Sequence, residues 1–275
     1  MRAAFVLSLI TVALLIAASA AGLLFDGLYR GPAATSSMLR AYDLVTLVVI
    51  VPALIIGLGG VWRGSVRGLL VWLSMLAATV YTYAYYLFEA AFNDLFLLHV
   101  ALFACALYAL IFGLSAIDTT EIADRFSART PRRWIGGFLA LLALTLGGMW
   151  ILASVRFALT GQIPVGSVLV ETDSLVHLGI ALDLAILVPA YAMAAVFLWR
   201  RIAWGYVLAA ILLISGVVHQ IGYLIALPFQ VAADVPGATA LDPIEPVIAA
   251  GFLIATIALL GSARSPRTDP GESGA

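Results

Sequence analysis

Asp183 stands inside an apolar run from Ser174 to Trp199, and His219 inside another from Ile202 to Leu227. Ionisable groups are costly in such segments, so each marks a ligand site, a proton relay or an interhelical bond. The two runs are joined by a short turn at Arg200 and Arg201, which makes them antiparallel neighbours if both are helical. Each residue then lies about nine positions from the same end of the pair, roughly 13 Å deep at 1.5 Å per residue. The spacing predicts a shared level near the middle of a membrane and a hydrogen bond between the Asp183 carboxylate and the His219 imidazole. Such a bond could pass a proton or simply hold two helices together. Gln220 and Tyr223 follow His219 on its helix, while Thr82 and Tyr86 form a similar polar stripe on an earlier one, with Glu89 and Asn93 beyond them. With Thr46, these residues are the expected lining of a binding site.

Other chemistries lack their residues. All 14 basic residues are arginine, so no lysine Schiff base or P-loop lysine is available. Cys105 is the single cysteine, which excludes an intrachain disulfide and a cysteine metal cluster. His99, His177 and His219 show neither HxxxH nor HExxH spacing. Imidazole is a common ligand for metals and haem, but no local spacing supports such a site, so the metal stays open and no cofactor is expected. A net charge of −1 argues against a nucleic-acid partner.

The elements that must position these residues are membrane helices. The chain is 64% hydrophobic and 11% charged, far from the roughly 45–50% and 25% of soluble domains. Eight runs approach the roughly 20 apolar residues that a crossing needs: Ala3 to Phe25, Leu44 to Trp62, Gly68 to Phe88, Leu95 to Ile117, Trp134 to Val155, Ser174 to Trp199, Ile202 to Leu227 and Pro246 to Ala263. The expected fold is all-α, a polytopic transmembrane bundle of about eight spans. Arg2 and the Ala18-Ser19-Ala20 sequence also fit a cleaved signal peptide, but the apolar run continues past that site to Phe25. The segment from Arg264 to Ala275 has the composition of a disordered tail.

Orientation follows from the arginines. Both termini inside places Arg2, Arg63, Arg67, Arg125, Arg129, Arg132, Arg133, Arg200, Arg201, Arg264 and Arg267 in the cytoplasm, and leaves Arg30, Arg40 and Arg156 outside. The expected location is the cell's inner (plasma) membrane. Outer connections from Arg156 to Asp173 and from Pro228 to Glu245 are expected to be long enough to cap a cavity. Tyr81, Tyr83, Tyr85 and Tyr86 precede the outer interface and also suit an aromatic belt there.

A shift of 137 residues lays Thr35 to Phe92 on Thr172 to Phe229 without a gap. Val51-Pro52-Ala53 then meets Val188-Pro189-Ala190, Trp62-Arg63 meets Trp199-Arg200, Gly68 meets Gly205, and Tyr86-Leu87 meets Tyr223-Leu224. The match predicts a parallel repeat of two four-helix units, residues 1–125 and 126–263, followed by the tail 264–275. Pro52 and Pro189 fall mid-span, where a proline kinks a helix and can serve as a hinge.

The stretch Tyr81-Thr82-Tyr83-Ala84-Tyr85-Tyr86 and the stretch Phe92-Asn93-Asp94-Leu95-Phe96-Leu97-Leu98 resemble segments of uncharacterised bacterial multi-pass membrane proteins, as does the region of Glu171, Thr172, Asp183 and Pro189. The resemblance implies a membrane location and brings no activity with it. The residues favour binding or transport of a small molecule or proton through a polar cavity between the units. A membrane enzyme or redox protein using histidines is the first alternative. The second is a non-catalytic scaffold that docks a partner on Arg125 to Arg133.

Overall fold

The computed structural model describes residues 1–164, 166 and 168–264, and it is 78% helical with no strand among the described residues. Among the described residues, eight helices are long and apolar enough to cross a membrane: α1 (Arg2–Leu24), α2 (Ala33–Trp62), α3 (Val66–Phe88), α4 (Phe96–Ser115), α6 (Arg132–Thr160), α7 (Asp173–Trp199), α8 (Trp204–Ala232) and α9 (Ile244–Gly261). A short helix, α5 (Thr119–Asp124), lies between α4 and α6, with Asp118 capping its first turn through Thr120 N and Glu121 N. Of the proposed tail, only Arg264 falls within the described residues.

Three boundaries differ from the sequence reading. Helix α2 begins at Ala33, not Leu44. Its first turns carry Ser37, Arg40 and Asp43, which lower the local hydropathy but find partners within the protein. Helices α6 and α8 run on to Thr160 and Ala232, so the connections there shrink to 161–172 and 233–243. Gly161, at φ 69°, ends α6 in the left-handed region.

Helices α3 and α8 form the centre. Their most apolar stretches are 61% and 56% buried, against 22–39% for the other six. They pack on each other, and Ser215 Oγ donates to the Ser74 carbonyl at 3.0 Å. Around this pair, α2 packs on α8, α3 on α4, α1 on α4, and α6 on the inner part of α7. Met1 and Arg264, the first and last described residues, lie at one end, here called proximal. There Arg67 donates to the carbonyls of Leu260 and Ala263, satisfying the end of α9. Ser127 N and Arg264 N bond across the same region to Ser262 O and Arg125 O. The opposite, distal end carries the ion pairs Arg30–Asp94 and Arg40–Asp26.

Helices α2 and α7 share an irregularity. Each contains one π turn, Thr46–Ile50 and Asp183–Leu187. Val51 N–H reaches back five residues to Thr46 O, and Val188 N–H to Asp183 O. A proline follows each turn. Its ring clashes with the carbonyl four residues back and it has no N–H to donate, and widening the turn relieves both problems. The two helices also end alike. Gly64 and Arg201 adopt left-handed conformations, at φ 68° and 57°. Ser65 N bonds to Gly60 O at 3.0 Å, and Ile202 N to Phe197 O at 2.8 Å. The close approach after the first turn requires glycine, because a Cβ on Gly68 would lie 2.6 Å from Gly60 Cα.

Candidate functional site

Asp183 is the first residue of the π turn in α7. Ten residues separate it from the helix start at Asp173, about 15 Å along the axis. Its carboxylate accepts two hydrogen bonds of 2.8 Å, from the Tyr81 hydroxyl of α3 and the Trp150 indole N–H of α6. One oxygen takes each bond, so three helices meet at one carboxylate. The expected bond to His219 is absent. His219 instead packs its ring against Tyr81, with centroids 5.3 Å apart, and against Tyr223 at 4.8 Å. Tyr81 occupies the place the sequence suggested for the imidazole, since its longer side chain reaches Asp183 from the neighbouring helix.

Asp183 and His219 nevertheless face one space. A cavity of about 30 Å³ is lined by Tyr81, Tyr85, Trp150, Asp183, His219 and Tyr223, and extends distally past Gly179 and Leu175 to Glu171. About one or two water-sized molecules fit in such a volume. Its distal rim is tied down by Glu89 at the end of α3, which accepts from Thr172 Oγ1 at 2.9 Å and Ser174 Oγ at 2.8 Å. The wall draws on α3 from the first half of the chain and on α6, α7 and α8 from the second.

A second carboxylate is enclosed elsewhere. Asp43 of α2 is fully buried and accepts from the Tyr29 hydroxyl at 2.6 Å and the Tyr86 hydroxyl at 3.0 Å. Tyr29 belongs to the connection between α1 and α2, and burial followed by the nearby Asp43 charge pushes its phenol well above the ordinary value, so it stays a donor. Tyr83, stacked on Tyr86 at 4.7 Å, reaches Ser19 of α1 at 3.3 Å. His99 of α4 is fully buried against Tyr29, Tyr83 and Tyr86, and neither of its ring nitrogens has a hydrogen-bond partner. This cluster lies wholly between helices of the first half and has no part in the Asp183 cavity.

Neither the sequence nor the fold matches a protein-family profile, a curated protein or a solved structure. The site is therefore read from its own chemistry.

The residues expected to line one site separate into groups. Asp183, His219 and Tyr223 share the cavity. Tyr86 turns to Asp43, and its hydroxyl also lies 2.7 Å from the Leu39 carbonyl. Thr46 is fully buried at the first residue of the other π turn, and Thr82 is buried in α3 outside the cavity wall. Gln220 points to α9, where its amide donates to Glu245 at 2.7 Å. The rings of Pro52 and Pro189 are exposed on the outer faces of their helices. Glu89 and Asn93 lie beyond α3, which ends at Phe88, so they do not continue its stripe.

Tyr81, Trp150 and Asp43 are the residues that the sequence reading missed. Tyr81 was an aromatic-belt candidate, yet it bonds inward, and Tyr83 and Tyr86 are buried. Asp43 directly precedes the apolar run that begins at Leu44, so run length alone leaves it outside the span. The available signal was that Arg40 and Asp43 directly precede an apolar run with no helix breaker between them. Among the described residues, no three His, Cys, Asp or Glu side chains converge as a metal site. His177 is exposed, and the other two histidines belong to different clusters.

Proposed function

We propose that this chain is an integral membrane protein that admits a small polar solute or a proton to Asp183 from its distal face. The observation that carries this reading is the carboxylate itself. It sits mid-helix in an apolar bundle, held by donors from two other helices, at the end of a polar cavity that continues to the distal connection. A group placed only to bind helices together would need no cavity beside it. Carboxylates at this depth typically face a cavity or the bundle interior and mark solute or proton pathways.

The arginine distribution orients the proximal end to the cytoplasm, which makes the distal face the outer face of the inner (plasma) membrane. A parallel repeat of residues 1–125 and 126–263 gives the cavity its setting. The paired π turns, the paired prolines and the paired left-handed turn residues all support it, because each pair is offset by the same 137 residues as the sequence match. The cavity then lies beside the α3–α8 pair, where the two units meet.

The test uses thiol accessibility. Cys105, the sole cysteine, is first replaced by alanine. Gly179→Cys then places a thiol on the wall, where a Cβ meets only the Tyr85 hydroxyl, at 3.4 Å. Silver ion, a membrane-impermeant thiol reagent no larger than a water molecule, applied to the distal face should modify Gly179→Cys and leave Ile186→Cys, exposed on the same helix but outside the cavity wall, unmodified. Equal inertness at both positions would remove the reading.

A further inference from the structure

The cavity wall selects the charge of its occupant, an inference that rests on reading the Asp183 cavity as a binding site. Two carboxylates, Asp183 and Glu171, line it, and among the described residues no arginine does, while the chain has no lysine at all. Much of the remaining wall is aromatic: Tyr81, Tyr85, Tyr223 and Trp150. The faces of such rings attract cations through their quadrupoles. Asp183 has capacity to spare, since an ionised carboxylate offers about four acceptor positions and Tyr81 and Trp150 use two of them. The Tyr81 and Tyr85 hydroxyls lie 3.3 Å apart and present further acceptor oxygens. An anion would meet two carboxylates with no arginine among the described residues of the wall to offset them. A neutral solute would gain only ordinary hydrogen bonds, roughly half as strong as those an ammonium group makes to a carboxylate.

Size narrows the class. The cavity of about 30 Å³ has room for roughly one or two water-sized heavy atoms. Quaternary ammonium groups exceed that volume, whereas ammonium matches one water and methylammonium two heavy atoms. Metal cations of similar radius prefer oxygen ligands throughout, and this wall interleaves its oxygens with the Trp150 indole, the His219 imidazole and tyrosine ring carbons. We propose that the cavity binds ammonium or methylammonium. The N–H groups donate to Asp183 and to the tyrosine hydroxyl oxygens, and the methyl group rests against the rings.

A ligand of two heavy atoms binds on the order of millimolar at best, a range suited to ligand-observed measurement. Saturation-transfer NMR of methylammonium with the full-length protein in lipid nanodiscs should show transfer to the methyl group. Ammonium chloride should displace it, and sodium chloride should not. Methanol, of the same size but neutral, should show no transfer. Asp183→Asn should weaken methylammonium binding at least tenfold. Equal transfer to methanol, or unchanged binding in Asp183→Asn, would overturn the assignment. Should that variant not fold, competition on the wild-type protein decides alone, and failure of ammonium to displace methylammonium overturns the proposal. Reaction at Gly179→Cys without methylammonium binding would sink the cation and leave the cavity reading standing. Loss of both would sink the two together.

Discussion

Asp183 and Asp43 show how differently two carboxylates in one bundle can be used. Each accepts from two aromatic donors, yet Asp43 is sealed among Tyr29, Tyr86 and Gly22 of α1, whereas Asp183 lines an open space. Bonds of this kind between membrane helices contribute about 0.6–2 kcal/mol. Tyr81→Phe should therefore lower thermal stability by about 1 kcal/mol, read as a reduced unfolding midpoint in detergent, and should also raise the reactivity of the less restrained cavity. Tyr29→Phe leaves a buried acceptor with one donor and should cost about 1–3 kcal/mol, with no change in thiol reactivity at position 179. The sequence made Asp183 and His219 visible because ionisable residues are rare in apolar runs. It did not reveal their partners. A bond depends on the azimuth of each helix, which turns by about 100° per residue, and Tyr81 and Trp150 are ordinary residues for a membrane helix until their directions are known.

The π turns make α2 and α7 distinctive as elements. A π turn is one extra residue absorbed locally, so the helix on either side keeps its register. Deleting the exposed Ile186 from the turn in α7 should therefore heal it to regular α-helix and give a folded, monodisperse protein. Deleting Ala192 from the regular part of the same helix should rotate everything beyond it by about 100° and abolish folding. Size-exclusion profiles of the two deletions distinguish these outcomes, and equal tolerance would argue against the π turn. The left-handed turn residues give a second check. Gly64→Ala should cost about 1 kcal/mol, and Arg201→Gly should recover up to a similar amount, because only glycine adopts that conformation freely. Most helix positions were legible from apolar run length. The start of α2 was not, since Ser37, Arg40 and Asp43 resemble a loop in composition and only tertiary contacts show them to be satisfied within a helix.

For the whole molecule, the eight apolar helices were legible from composition, because no soluble fold hides that much apolar surface. The centrality of α3 and α8 was less so. Both are apolar like their neighbours, and only packing distinguishes the pair buried on most sides from those with a broad exposed face. Orientation is open to direct test. In the Cys105→Ala background, Gln162→Cys at the distal end should react with an impermeant thiol reagent in intact cells, and Arg264→Cys at the proximal end only after permeabilisation. The reverse pattern would invert the topology. The central claim is that solvent from the distal face reaches a carboxylate deep among apolar helices, and hydroxyl-radical footprinting, whose probe is the size of water, tests it most directly. Followed by mass spectrometry, it should oxidise Tyr81 and Trp150, the two residues that hold Asp183, as well as the exposed Phe92. Oxidation of Phe92 with Tyr81 and Trp150 untouched would contradict the account.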